Sequence, residues 1–239
     1  MTNLKASDVP AANTLASTLA GLSDFAKVIG AEVSDTASNI AKNLTDLSTN
    51  KLADGSLLVS KISVSDKAPM TLTYDQLTTS ALTNVLSLIS NPYSIKMDSK
   101  SVVGIANAVT VTAPNKNATI LPFAITDTAD NISANLADLI KLVSAKTVSQ
   151  INVSSSASAI KLTKDQLSKA ASVLPLLKGS YGIGLLNLTA SDALSLAKTP
   201  KLQSVTIKDS LTNLTASLSS LTSILSKVST IALTDASVD

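Results

Sequence analysis

The sequence contains no histidine, cysteine, arginine or tryptophan. These absences remove imidazole acid–base catalysis, thiol nucleophiles, ordinary zinc sites and arginine clamps on anionic substrates. The chain has only 7 glycines, and it contains neither a phosphate-binding glycine loop nor a Gly-x-Ser-x-Gly motif. The sequence leaves open carboxylate chemistry, such as a paired-carboxylate glycosidase site, together with Ser–Lys pairs and backbone anion sites. We therefore predict that the chain is not an enzyme.

Strong charge and long apolar runs are absent as well. The net charge is +2, the 19 basic residues are scattered lysines, and aromatic residues make up 2% of the chain. Nucleic-acid binders rely on basic clusters and stacking aromatics, so we predict no nucleic-acid partner. Even 214–225 carries Ser and Thr throughout, so we predict no membrane insertion. The first eight residues lack the pattern of a cleaved secretion signal, although export by an uncleaved carboxy-terminal signal would leave no mark there.

Small polar and aliphatic residues are abundant. Hydrophobic residues make up 45% of the 239 residues, the mean hydropathy is +0.33, and Ser and Thr together make up about a quarter. Such a chain can bury a sizeable core, so we do not expect disorder. With few aromatics, the core must consist of Leu, Ile, Val and Ala, which suits regular layers of interchangeable side chains.

Several segments of the chain repeat. Segments 33–47, 125–139 and 207–221 align without gaps, and 72–77 matches 162–167. The residues shared by the three longer copies are Asp35/Asp127/Asp209, Asn39/Asn131/Asn213, Leu44/Leu136/Leu218 and Leu47/Leu139/Leu221. The third copy departs from the pattern at Ser217, where the other two copies have Asn. Because the matches keep their order along the chain, we interpret them as internal repeats.

Hydrophobic periodicity predicts strands and helices in alternation. Strands are predicted near 31–34, 58–65, 93–97, 119–126, 148–154, 181–186, 202–207 and 228–233, with short strands at 70–73, 109–112 and 159–163. Helices are predicted near 11–29, 36–49, 75–90, 129–145, 164–177, 190–198 and 210–227. Thr73-x-x-Gln76 and Thr163-x-x-Gln166 are predicted capping boxes. The glycines of 179–184 are interpreted as a turn that enters a strand.

This alternation predicts an α/β fold with a mainly parallel sheet, because crossover helices join parallel strands. At roughly 25–30 residues per strand–helix unit, the units would stack as a repetitive solenoid. We predict one repetitive domain over 1–239. It comprises a helical cap at 1–30, repeat blocks at 31–124 and 125–206, and a partial repeat at 207–239.

Five of the predicted strands are followed or ended by an aspartate: Asp35, Asp66, Asp127, Asp209 and Asp235. A carboxylate at the start of a helix can accept the unpaired N–H groups of the first turn and complement the positive end of the helix dipole. Helix capping is therefore our main interpretation. The competing hypothesis is a row of calcium ligands at Asp35, Asp127 and Asp209. Calcium takes about six to eight oxygens, and the glycine-rich turns that usually bring them together are absent.

The runs Val/Ile-x-Asp-Thr-Ala-x-Asn-Ile-x-x-Asn-Leu-x-x-Leu, Ser-x-Ile-x-Val and Leu-Thr-x-Asp-Gln-Leu resemble repeats of large bacterial surface or secreted proteins, of the adhesin-like or S-layer-like, type I secreted kind. The resemblance covers most of 31–235 and is clearest at 33–47, 125–139 and 162–167. It implies a secreted or cell-surface location and a structural or adhesive role.

We accordingly expect a structural, self-assembling module that serves as a fibre, layer or adhesin scaffold. Solenoid ends can template further stacking, so the expected partners are copies of the chain or other surface proteins. The alternative is a ligand-binding adhesin domain that recognises glycans or another cell surface. Calcium is the one cofactor for which the sequence offers a hypothesis.

Overall fold

The computed structural model of the protein describes residues 4–20, 30–52, 55–99, 103–154 and 158–235. The fold is mixed α/β, with several all-parallel sheets and, in the described ranges, eleven α-helices. The predictions of an α/β fold and of parallel pairing are therefore confirmed. Among the helices in those ranges, none has both the length and the apolar character needed to cross a membrane.

The chain divides into two compact units. The first consists of Met1–Val102 and Thr110–Phe123, and the second of Val103–Val109 and Ala124–Asp239. The boundary after Phe123 lies close to 125, where the second repeat block is predicted to begin. The single domain predicted over 1–239 stays a prediction.

The first unit contains two parallel sheets and five α-helices within its described residues. Its helices are α1 (Val9–Ala20), α2 (Ala37–Lys42), α3 (Leu44–Thr49), α4 (Tyr74–Thr78) and α5 (Ser80–Ser87), and its strands are β1 (Ala31–Asp35), β2 (Val59–Val64), β3 (Met70–Leu72), β4 (Tyr93–Met97) and β5 (Ala118–Ile120). β1 pairs with β2, and β4 lies between β3 and β5. Val33 stands beside Ile62, which in turn bridges to Ile89, and all three are buried. Parallel pairing thus places apolar residues of successive segments in one row.

The second unit also alternates strands and helices along the chain. Its helices are α6 (Ile105–Ala108), α7 (Ala129–Ala134), α8 (Leu136–Ser144), α9 (Lys164–Lys169), α10 (Ala190–Ser195) and α11 (Leu211–Leu221). Its strands are β6 (Phe123–Asp127), β7 (Val148–Val153), β8 (Ile160–Thr163), β9 (Leu177–Lys178), β10 (Ile183–Leu188), β11 (Leu202–Asp209) and β12 (Val228–Leu233). Phe123, the first residue of β6, is assigned to the first unit. One sheet has the order β6-β7-β9 and the other has the order β12-β11-β10-β8. In the second sheet the rows are Leu162–Leu185–Val205–Val228 and Leu188–Ile207–Ile231.

Most strand predictions are confirmed, and β4 and β12 match their predicted ranges at both ends. The strand predicted at 119–126 is instead two strands, β5 and β6, because Pro122 lies between them and has no N–H for a ladder. The strand predicted at 109–112 is wrong, since the chain there leaves α6 through a turn. Val109 is exposed, so the local alternation of apolar residues buries nothing at this point.

The helices predicted at 36–49 and 129–145 each break near the middle. Asn43 separates α2 from α3, and Asn135 separates α7 from α8. Their side-chain amides donate to the carbonyls of Asn39 and Asn131, at 2.8 and 2.9 Å, in competition with the helical ladder. The third copy has Ser217 at this position, and α11 runs through it without a break.

The helix predicted at 75–90 is also two helices, α4 and α5, which Thr79 separates. Other helix predictions differ from the structure at their ends. α9 gives way to short 3₁₀ turns at Ala170–Ser172 and Leu174–Leu176, where Pro175 cannot continue an α-helical ladder. α1 begins two residues before the predicted 11–29. The rest of that prediction, 21–29, lies outside the described residues.

Candidate functional site

Asp35, the last residue of β1, shows how the recurring aspartates are used. The carboxylate is buried, and its Oδ2 accepts the backbone N–H of Ala6 at 3.0 Å. Its Oδ1 accepts the backbone N–H of Thr36 and the side-chain amide of Asn39, both at 2.8 Å. Ala6 begins the 3₁₀ helix Ala6–Asp8, so the carboxylate joins two segments that are 29 residues apart.

All five aspartates predicted at strand ends make this contact with the first residue of an earlier helix. The N–H groups and their acceptors are Ala6 to Asp35 (3.0 Å), Ala37 to Asp66 (3.0 Å), Ile105 to Asp127 (2.9 Å), Ala190 to Asp209 (2.9 Å) and Leu211 to Asp235 (3.1 Å). The separation along the chain ranges from 19 residues for Asp209 to 29 for Asp35 and Asp66. Each aspartate therefore ties its own segment to the preceding one.

The predicted capping role of these aspartates is confirmed, but each aspartate caps an earlier helix and not the helix that follows it. Asp35 lies one residue before the N-cap of α2, which is Thr36. The residues that cap their own helix are Thr36, Thr128, Thr189 and Ser210, whose hydroxyls accept the N–H groups of Asn39, Asn131, Asp192 and Asn213 at 3.1–3.3 Å. The aspartate side chain belongs to the extended strand, so it meets the start of the neighbouring helix instead.

Asparagines one helical turn further on hold the carboxylates in place. Asn213 donates its amide to Asp209 Oδ1 at 2.7 Å, and Asn131 donates to Asp127 Oδ1 at 2.6 Å. The repeats mark these asparagines as a shared position, but the repeats alone do not predict this role. The signal was present as the spacing Asp-Thr/Ser-x-x-Asn in all three copies.

The hydrogen bonds lower the pKa of two of these carboxyls. For Asp35, burial alone would raise the pKa, but hydrogen bonds from Asn39, Ala6 and Thr36, together with Lys5, hold it below the ordinary value of 3.8. For Asp209, the amide of Asn213 is the main cause of the lowered pKa, followed by the N–H of Ala190. Both groups are therefore held in the charged form that accepts these hydrogen bonds.

The oxygens of Asp35, Asp127 and Asp209 fit a calcium ion poorly. Each carboxylate accepts N–H donors on both oxygens, and those donors present positive charge where a cation would bind. Among the described residues, no group of three or more acidic side chains is placed to hold a metal ion. The calcium hypothesis stays a prediction that titration can test.

Other polar contacts also join successive segments or cap the starts of helices. The capping boxes predicted at Thr73 and Thr163 are confirmed, with the hydroxyls accepting from Gln76 and Gln166 at 3.2 Å. Lys164 Nζ donates to Asp192 Oδ1 at 2.6 Å across 28 residues of sequence. This hydrogen bond is the main reason that the pKa of Asp192 is lowered.

The last elements of the second unit carry five exposed large apolar residues, which we call the open face. They are Leu211 (58% exposed) and Leu218 (64%) on α11, Leu225 (54%) on the 3₁₀ helix Thr222–Lys227, and Ile231 (49%) and Leu233 (42%) on β12. Ile231 belongs to the row whose other members, Leu188 and Ile207, are buried. The apolar row therefore continues to the edge of the sheet, where no element of the described chain covers it.

The predicted turn at 179–184 is confirmed as the entry to β10, and it borders a shallow depression of about 770 Å³. The depression is lined by Gly179, Ser180, Tyr181, Gly182, Lys201, Leu202 and Gln203. Lys201 Nζ lies 3.6 Å from the centroid of the Tyr181 ring, so a cation already covers one face of this aromatic group. A Cβ on Gly182 would overlap the Gln203 side chain, so glycine permits a close approach here.

No family model, curated protein or solved structure matches the chain. A function must therefore be argued from its residues and their geometry.

Proposed function

We propose that the chain is a non-enzymatic, self-assembling structural module of a bacterial cell-surface or secreted protein. The open face carries this proposal, because the last helices and the edge strand of the second unit expose these large apolar side chains with no covering layer in the described residues. The contacts of the aspartates support it, since the polar residues that recur in the sequence are used to join segments.

The same contacts support a solenoid. Strands pair in parallel at offsets that range from 19 residues, between Ile183 and Leu202, to 29 residues, between Glu32 and Lys61. Apolar residues at equivalent positions line up in rows, such as Leu162, Leu185 and Val205. Repetition of one unit with contacts to its neighbours is the arrangement that a solenoid requires.

The secreted or cell-surface setting rests on the resemblance of the repeats at 33–47, 125–139 and 162–167 to bacterial surface proteins. A scaffold built from such repeats needs length and contacts between copies, and it needs no catalytic group. This agrees with a sequence from which histidine, cysteine and arginine are missing.

The second candidate is a ligand-binding adhesin domain, and the depression beside Tyr181 favours it. An aromatic ring next to the amide of Gln203 offers one apolar and one polar contact to a sugar. This candidate predicts saturable binding on a glycan array and loss of that binding in Tyr181→Ala. We rank it second because Lys201 already covers one face of the ring.

The test of self-assembly is the mass of the purified chain over a range of concentrations, measured by light scattering and negative-stain microscopy. We expect species heavier than 24.4 kDa that become more populated as the concentration rises. Parallel samples in calcium and in chelator should behave alike if the aspartates are structural. A particle of 24.4 kDa at every protein and calcium concentration would contradict the proposed function.

A further inference from the structure

β12 is an edge strand without the features that usually protect one. Within the described residues its one strand neighbour is β11. Thr234 donates its N–H to the backbone carbonyl of Asp209 on β11. Successive residues of a strand direct their backbone groups to opposite sides, so those of Ile231 and Leu233 point away from β11. β12 contains no proline, lysine or other charged residue. Natural sheets usually place such residues on exposed edges to prevent association.

Two other edges are covered by the chain itself. In the same sheet, the N–H of Lys161 on β8 donates to the Ser133 hydroxyl of α7 at 2.8 Å. In the first unit, Leu4 donates to the carbonyl of Glu32 on β1 and accepts from the N–H of Ser34, both at 2.9 Å. The open edge of β12 therefore differs from the edges of β8 and β1, which have partners within the chain.

The charge around the open face is suited to contact with an identical surface. Between Asp209 and Asp235 the sequence has one charged residue, Lys227, and its Nζ donates to the carbonyl of Ala197 at 3.1 Å. In a two-fold contact each patch meets a copy of itself, so any charge would meet its like. A surface nearly free of charge avoids that repulsion.

We propose that a second copy of this chain docks on the open face through a two-fold axis, with β12 of each copy antiparallel to β12 of its partner. The inference rests on the proposed function, because it names the contact through which the chain self-associates. A head-to-tail contact would pair β12 with a different edge strand, whereas in the two-fold contact each β12 supplies the open edge that the other needs. A two-fold contact closes on itself, so it yields a dimer, and a fibre or layer would need a further contact.

The chain has no cysteine, so single cysteines report the contact without background. Thr230→Cys and Ala232→Cys lie at exposed positions of β12, and Thr119→Cys lies at an exposed position of β5 as the matched control. After treatment with a short bifunctional maleimide, we expect covalent dimers from the β12 variants and none from the control. We also expect Ile231→Lys to weaken dimer formation at least about tenfold, because each copy would bring a positive charge into an apolar contact, while Thr119→Lys leaves it unchanged.

The outcomes separate this inference from the proposed function. Dimers of twice 24.4 kDa that cross-link through β12 and weaken in Ile231→Lys support both. If the chain assembles but β12 does not cross-link and Ile231→Lys assembles normally, the two-fold contact is wrong and the self-assembling module stands. If the chain is monomeric throughout, both are wrong and the open face is left for a different protein or chain segment.

Discussion

A carboxylate at the end of a parallel strand meets two sets of free N–H groups. One oxygen of Asp127 accepts the N–H of the next residue, Thr128, and the other accepts the N–H of Ile105. The first turn of a helix has N–H groups without partners in that helix, so this contact supplies an acceptor that the helix lacks. The same side chain thus accepts one hydrogen bond at the end of its own strand and another at the start of an earlier helix.

The first prediction concerns this contact in the second unit. We expect Asp127→Ala to lower the free energy of unfolding by about 1–3 kcal/mol, because the N–H of Ile105 and the amide of Asn131 lose their acceptor. Asp130→Ala, three residues away and exposed, should change it by no more than about 0.5 kcal/mol. Urea denaturation followed by circular dichroism measures both. Equal stability of the two variants would show that the contact does not stabilise the fold.

The residue types of this site could be predicted from the sequence, but their partners could not. The spacing from Asp209 to Asn213 is local, and it indicates a capping role wherever the chain folds. The N–H of Ala190 lies 19 residues before Asp209, and the equivalent distance for Asp35 is 29. Because this offset varies, only the strand register reveals which helix each aspartate meets.

Elements with strong local signals were predictable in type and often in length. Alternation of apolar and polar residues found β4 and β12, and the capping box found the start of α9. Helix breaks were missed at Asn43 and Asn135, because hydrophobic spacing continues across them. The competition between an asparagine side chain and the helix backbone leaves no mark on that spacing.

The start of α9 gives the second prediction. Thr163 accepts the N–H of Gln166 at 3.2 Å and donates its own N–H to the Gln166 side chain at 2.9 Å. Thr163→Ala removes the hydroxyl, and we expect it to lower the free energy of unfolding by about 1 kcal/mol. Thr163→Ser keeps the hydroxyl and should stay close to the original protein in the same urea titration. Equal losses in the two variants would assign the effect to the missing methyl group instead.

For the whole molecule, the titratable groups that the sequence lacks matter as much as those it has. With no histidine and no cysteine, few side chains titrate between about pH 5 and pH 8, so stability should be nearly constant there. On the alkaline side, burial raises the pKa of Tyr93 from 10.0 to about 12. Its neutral form is favoured in the fold, so this contribution is complete below pH 10 and is lost as the pH rises towards 12.

The third prediction concerns stability at low pH. The pKa values of Asp35, Asp192 and Asp209 are lowered from 3.8 in the folded chain. The unfolded chain binds protons at these groups first as the pH falls. Their contribution is therefore present above about pH 3.8 and is lost below it. We expect the thermal midpoint to be flat down to about pH 5 and then to fall.

Substitutions that remove a carboxylate charge test which groups cause the loss of stability at low pH. Asp35→Asn keeps a side-chain oxygen for the donors around it but no longer titrates, so it should reduce the slope of the thermal midpoint below about pH 4. Asp130→Asn, at an exposed position, should keep the original slope. If both variants lose stability as steeply as the original protein when the pH falls, the buried carboxylate of Asp35 is not a source of the acid sensitivity. A shallower slope in Asp35→Asn alone would trace acid sensitivity to the aspartate that joins β1 to the helix at Ala6–Asp8.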